Sequence, residues 1–219
     1  MIVKMPNLPS LFLATTNPGK LREFREAGES LRSENQSVSF EMLPALQTIP
    51  APVEDGDTFD ANARLKAEYY SQFAPGKLVL AEDSGLAVDE LGGAPGVYSA
   101  RYAAMLRGGT GGHENSTDED NNRALVSQLE RLPATTHAGK YVCVIALARN
   151  GQTLQTFTGE AHGELLTQPR GTGGFGYDPY FYFPALGKTF AELGLDEKRR
   201  HSHRGAAIGK LLEAFRQKP

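Results

Sequence analysis

Residues 78–102 read LVLAEDSGLAVDELGGAPGVYSARY, and this stretch decides how the rest of the chain is understood. The apolar run 78–81 predicts a short buried strand that delivers Glu82 and Asp83 at its mouth. Ser84-Gly85 then predicts a turn, and Gly92-Gly93-Ala94-Pro95-Gly96 a loop almost free of side chains, open to close approach by a ligand or a partner backbone. Adjacent carboxylates repel unless a cation or a proton lies between them. The pair therefore points to a metal site, an acid–base site or both.

Outward towards the N-terminus, residues 10–14 predict a buried strand that runs into Thr15-Thr16-Asn17-Pro18-Gly19-Lys20. Asn17 as N-cap and Pro18 as first helical residue predict a helix with Leu21, Phe24 and Leu31 on one face. Its free N–H groups, two hydroxyls and Lys20 suit either a bound phosphate or a well-capped surface helix. Residues 38–43 predict a strand. The acidic turn Glu54-Asp55-Gly56-Asp57-Thr58 opens a helix over about 59–73, where Phe59, Asn62, Ala63, Lys66 and Tyr70 share a stripe. Lys66 on that stripe either finds a buried partner or extends to solvent.

Towards the C-terminus, residues 107–114 (RGGTGGHE) read as an exposed tip, and Ser116-x-x-Glu119 as a capping box in which the acidic run serves the helix start. Residues 141–149 and 153–162 predict a hairpin around Asn150-Gly151, acting as scaffold. Gly171-Thr172-Gly173-Gly174-Phe175-Gly176 matches the dinucleotide glycine pattern. It lies late in the chain and leads into Tyr177-Asp178-Pro179 rather than into a helix. The loop suits a planar ring stacked on Phe175 with Asp178 at its edge, or a buried phenylalanine anchor. Ser202 caps a final helix bearing Ile208, Leu211, Leu212 and Phe215. His203 and Arg204 in its first turn oppose the helix dipole and ask for an anion or a base edge; a His201–His203 metal pair is the poorer reading.

The chain has 219 residues, 40% of them hydrophobic and 22% charged, with a formal charge of −3. That balance excludes a broad nucleic-acid-binding or membrane-binding surface, so a polyanionic ligand needs a local basic cluster. Cys143, the single cysteine, lies in an apolar run and reads as a buried, inert thiol. No stretch approaches the ~20 apolar residues of a membrane span, and no signal peptide is evident, which points to the cytoplasm. Glu54, Glu82 and Asp83 with Lys20, Lys66, Lys198 and Arg204 make an oxygen-ligand set that favours magnesium or manganese together with phosphates. A nucleoside triphosphate satisfies every part. Asp83 or Glu82 would then act as the base towards water.

The chain resembles the inosine triphosphate pyrophosphatase family, also called HAM1-like, which acts on non-standard purine nucleotides. The resemblance rests on motifs in order along nearly the whole chain: Thr15-x-Asn17-x-x-Lys20; Glu54 with Thr58-Phe59-x-x-Asn62-Ala63-x-x-Lys66; Glu82-Asp83-Ser84-Gly85; Gly92 to Arg101; Gly173 to Pro179; and Ser202-His203-Arg204-Gly205. It implies hydrolysis of ITP, dITP and XTP between the α- and β-phosphates, giving the monophosphate and pyrophosphate. It implies magnesium, with manganese as a substitute, at Glu54 and Asp83, with Asp83 as base and Glu82 in support. Thr15, Asn17, Lys20 and Lys66 would hold phosphates, with Thr16 and Ser84 beside them. Phe175, Gly176, Tyr177, Asp178, Lys198, His203 and Arg204 would frame the base, and Asn62 would support the acidic pair.

The implied fold is a single α/β domain over residues 1–219. A long mixed sheet is flanked by helices, two lobes enclose a cleft, and the usual assembly is a homodimer. Thr16 stands where many relatives have glycine, and the 107–114 tip is longer than expected for the family. The rival readings are a Maf-type pyrophosphatase acting on pyrimidine or modified nucleotides and a non-catalytic nucleotide sensor. The 6-oxo acceptor of hypoxanthine and xanthine suits donors such as Arg204 or His203, which adenine would leave unpaired. Guanine shares that oxygen, so its exclusion must come from the 2-position.

Overall fold

The computed structural model describes residues 10–32, 38–108, 115–133 and 137–216; the side chains of residues 29–32 and 216 also fall outside it. The Leu31 side chain and most of the 107–114 tip therefore lie outside what is described. The central sheet has seven strands in the order β2-β1-β3-β4-β5-β6-β7. Strands β1 (Leu11–Leu13), β2 (Phe40–Met42) and β3 (Leu78–Val88) are parallel neighbours. The long hairpin β4 (His137–Arg149) and β5 (Gln152–Leu165) continues antiparallel from β3. Short strands β6 (Phe181–Phe183) and β7 (Lys188–Thr189) complete the edge.

The expected helices form, with one change of cap. Helix α1 (Pro18–Arg32) begins at the expected proline, and Asn17 Oδ1 accepts from Lys20 N. Helix α2 (Phe59–Ser71) is capped by Thr58. A short helix α3 (Tyr102–Leu106) precedes α4 (Asp118–Leu129), whose cap is Thr117 and not Ser116. Ser116 Oγ instead accepts from Ala104 N, tying α3 to the start of α4. Helices α5 (Leu195–His201) and α6 (His203–Arg216) end the chain.

Helices cover both faces of the sheet. On one face α1 and α6 pack Phe24, Ile208 and Leu211 against Cys143, Ile145 and Leu147 of β4. On the other, α2 packs Ala63, Ala67 and Tyr70 against Val142, Val144 and Ala146. A third cluster, with Leu125, Leu129, Tyr177, Phe181 and Phe190, forms at the end of the sheet where β3 finishes. The alternating side chains of β4 thus feed two cores at once, as period-2 geometry requires of a strand buried on both faces.

Strand β3 corrects the reading of its own sequence. It spans eleven residues, so Ser84-Gly85 is not a turn and the carboxylates lie in mid-strand. Its register on β4, Glu82 opposite Ile145 and Asp83 opposite Val144, carries the pairing through to Val88. Gly85 is required because the 3-10 segment Gly96–Arg101 docks on it. An added Cβ would collide with Ser99 Oγ and lie 2.7 Å from the Gly96 carbonyl oxygen. The loop glycines Gly92, Gly93 and Gly96 have φ of 63, 88 and 57° with open space around them, so backbone conformation accounts for them.

Gly159 of β5 sets the seat of α6. A Cβ there would collide with the His203 carbonyl oxygen and lie 2.5 Å from Ala207 N. Gly159→Ala is expected to cost about 1–3 kcal/mol through overpacking, read as a lowered urea midpoint. An unchanged midpoint would show that α6 shifts freely.

Candidate active site

The pleat of β3 sends Glu82 and Asp83 to opposite faces of the sheet, so no single cation needs to sit between them. Glu82 faces α1 and α6. It accepts from Arg204 Nε at 2.6 Å and Nη2 at 3.2 Å, from Ser84 Oγ at 3.3 Å and from the Cys143 thiol at 3.2 Å, and pairs with Lys20 Nζ at 2.7 Å. Burial alone would raise this carboxyl, but Arg204 and then Lys20 outweigh it and hold it well below its ordinary range. Cys143 is buried as expected, and burial followed by the Glu82 charge pushes its thiol well up. It is a fixed hydrogen-bond donor rather than a reactive thiol.

Asp83 faces α2. Lys66 Nζ donates to Asp83 Oδ1 and to Glu54 Oε2, each at 2.8 Å, which settles the open reading of that lysine in favour of partners. Asn62, from the same helical stripe, donates to Asp83 Oδ2 at 3.4 Å and exchanges two hydrogen bonds with the Gly56 backbone. Helix α2 and the turn before it are thereby stitched to the acidic strand. Burial pushes the Asp83 carboxyl up against the pull of Lys66, whereas the two carboxylates hold the Lys66 ammonium protonated despite its own burial.

The same cleft, about 640 Å³, is lined by Thr15, Thr16, Asn17, Lys20, Glu54, Lys66, Glu82, Asp83 and Ser84. Phe175, Gly176, Tyr177, Asp178, Lys198, His203 and Arg204 line it too. Every residue the sequence nominates, apart from Asn62 just behind the wall, therefore lines one cavity. Lys198 Nζ pairs with Asp178 Oδ2 at 2.7 Å and Glu23 Oε1 at 3.0 Å. Asp178 also accepts from Phe175 N at 2.9 Å, and the Phe175 ring lies 4.9 Å from Lys198 Nζ and 5.7 Å from the Arg204 guanidinium carbon.

Two of these residues have partners that the sequence did not show. Arg204 is buried with four of its five N–H donors engaged: Nε and Nη2 to Glu82, Nη2 also to Ser84, and Nη1 to Glu23 at 2.5 Å. It braces Glu82 and Glu23 while still lining the cleft. His203 stacks on Tyr141 with ring centroids 4.6 Å apart, and its Nδ1 is buried without a partner. Burial and the Arg204 charge depress its pKa well below the ordinary value, so the ring is neutral and offers one donor and one acceptor. It adds no second cation to the first turn of α6.

Four contributors were not nominated by the sequence reading. Glu23 bridges Lys198 and Arg204, and its position three residues after Lys20 on α1 was the available signal. Asp118 accepts from Gly176 N at 2.7 Å while Asn122 donates to Gly176 O at 3.0 Å, so α4 clamps the loop that carries Phe175. The acidic start of α4 thus does more than cap a helix. Tyr141 lines the base end from a strand read only as scaffold.

Among the described residues no group of three His, Cys, Asp or Glu side chains forms a ready-made metal site. Glu54 and Asp83 offer a pair of hard carboxylates, the donor set that suits magnesium when phosphate oxygens complete its shell.

Fold and cleft together define a mixed-sheet α/β protein with cations and carboxylates ranged along one elongated pocket. The chain belongs to the Ham1 family, whose model matches residues 11–214. A protein of Acidobacterium capsulatum named dITP/XTP pyrophosphatase is 49% identical over 203 residues, covering 93% of this chain and 96% of the relative. One of the same name from Thermus thermophilus is 44% identical over 208 residues, covering 94% and 92%. The structure of a HAM1 protein from Coxiella burnetii is similar with a TM-score of 0.80 at 34% identity, covering 96% of this chain and all of that one. No helix among the described residues is long and apolar enough to cross a membrane.

Glu23 gives the network a pH signature. Burial would raise its carboxyl, but Arg204 and Lys198 lower it below the ordinary 4.5. A depressed carboxyl stabilises the fold above the unfolded pKa, and that contribution is lost as pH falls through the folded pKa. Urea midpoints of the wild type should therefore fall as pH drops below about 4.5, and Glu23→Gln should start lower at neutral pH and fall less. Parallel curves for the two proteins would remove Glu23 from this role.

Proposed function

We propose that this chain is a hydrolase that converts the deaminated purine nucleotides ITP, dITP and XTP to their monophosphates and pyrophosphate, clearing them from the nucleotide pool. The observation that carries the reading is the pair Glu54 and Asp83 sharing Lys66, in one cleft with the Lys20 turn at the phosphate end and Phe175, Lys198 and His203 at the base end. The relatives named dITP/XTP pyrophosphatase support the substrate class.

In this reading the triphosphate lies along Lys20, Lys66 and the Thr15–Asn17 turn, with Thr16 and Ser84 alongside. Magnesium held by Glu54 and Asp83 would neutralise the departing pyrophosphate, a task manganese shares. Asp83 takes a proton from water as the water oxygen bonds to the α-phosphorus; the α–β bridging P–O bond breaks and pyrophosphate leaves with the electron pair. Glu82, locked by Arg204 and Lys20, keeps its charge and holds Lys20 and Arg204 in place. Lys198 and neutral His203 offer donors to the 6-oxo group, whereas the amine of adenine would leave them unpaired. A homodimer in the cytoplasm belongs to the same proposal, with mass in solution as its measurement.

Pyrophosphate release from ITP, dITP and XTP is expected to exceed that from ATP and GTP and to vanish on chelation of magnesium. Equal rates on all five would sink the assignment of substrate. Asp83→Asn is expected to retain ITP binding by equilibrium titration while kcat falls by about 100-fold or more; near-normal turnover would take Asp83 out of the proton-transfer role.

A further inference from the structure

Tyr141 is a buried tyrosine whose ring is fully accounted for and whose hydroxyl is not. The ring, 7% exposed, is stacked between His203 at 4.6 Å and Phe190 at 5.8 Å, with Phe181 tilted against it at 4.7 Å. Phenylalanine would pack there equally well. Buried tyrosine hydroxyls find hydrogen-bond partners, and Tyr177 close by follows the rule by donating to the Ser99 carbonyl at 2.8 Å. Among the described residues no hydrogen bond engages the Tyr141 hydroxyl, nor is it among the sealed polar atoms that lack a partner. The residue lines the cleft beside Asp178, Lys198 and His203. Its polar tip thus meets the cavity at the end assigned to the base.

We propose that the Tyr141 hydroxyl is a specificity-determining contact that donates a hydrogen bond to an oxo group of the purine ring. The proposal rests on the pyrophosphatase reading of this cleft. Burial, and next the neighbouring Asp178 carboxylate, raise the phenol well above its ordinary pKa, so it stays a proton donor throughout the working range. A donor on this wall adds to those of Lys198 and His203 and favours bases rich in carbonyl oxygens. A hydroxyl left unpaired in a closed site disfavours a base that cannot accept from it.

Tyr141→Phe isolates the hydroxyl, since the ring and its stack on His203 are retained. The full-length wild type and variant are compared with ITP, XTP and ATP as substrates, alongside thermal unfolding. The expected result is an unchanged melting temperature, a kcat near that of the wild type, and a KM for ITP or XTP raised about two- to tenfold, with preference over ATP reduced. A larger loss for XTP places the contact at the 2-oxo group, and an equal loss places it on the shared 6-oxo edge; both support the proposal. Wild-type protein that does not prefer ITP over ATP overturns the functional reading. Wild-type protein that prefers ITP, with Tyr141→Phe keeping the same KM for ITP and XTP, overturns the role of Tyr141 alone.

Discussion

The structure depends on the pleat of β3. Consecutive side chains of a strand point to opposite faces, so Glu82 and Asp83, adjacent in sequence, serve different helices and different cations. Facing each other without cations they would repel, and one would take up a proton. Split by the sheet, each collects its own partners: Arg204 and Lys20 on one face, Lys66 on the other. The two environments drive the carboxyls apart, Glu82 down and Asp83 up. Adjacent carboxyls thus sit in opposite electrostatic environments.

A strand can carry two buried charges only if the surrounding elements are fixed well enough to keep the cations in place. The fold supplies this by converging six segments on one point. β3 brings the acids, α1 brings Lys20 and Glu23, α2 brings Lys66 and Asn62, α5 brings Lys198, α6 brings Arg204, and the 174–178 loop brings Asp178. Five carboxylates, Glu23, Glu54, Glu82, Asp83 and Asp178, face four cations, Lys20, Lys66, Lys198 and Arg204. Nearly every charge in the network therefore has an opposite charge within ion-pair distance. The network is also why α6 must sit close on β5, where Gly159 leaves no side chain in the way.

Much of this was legible in the chain. Asn17-Pro18 marked the start of α1, the acidic turn 54–58 that of α2 and Asn150-Gly151 the hairpin turn, because caps and turn residues act over a few positions. The cleft residues were legible as residue types, since phosphates and hard metals restrict the side chains that can meet them. What misled was locality. Ser84-Gly85 reads as a turn in isolation, but ten consecutive pairings with β4 and the docking of Ser99 over Gly85 make it strand. Ser116 with Glu119 forms a capping-box pattern, yet Thr117 takes the cap because Ser116 is drawn to α3.

The sequence by itself determined the chemistry on offer: which acids, lysines and aromatic side chains exist, and which helices and strands carry them. Spacing fixes what shares a face within one element, so Lys66 and Asn62 could be placed together in advance. Only the tertiary structure decided who pairs with whom. Glu82 meets Arg204 across 122 residues, and Gly176 is clamped by Asp118 from 58 residues away. Such contacts follow from sheet register and helix docking, which no local pattern encodes. They made Arg204 the brace of Glu82 as well as a lining residue of the cleft, and brought a scaffold tyrosine, Tyr141, into the same wall.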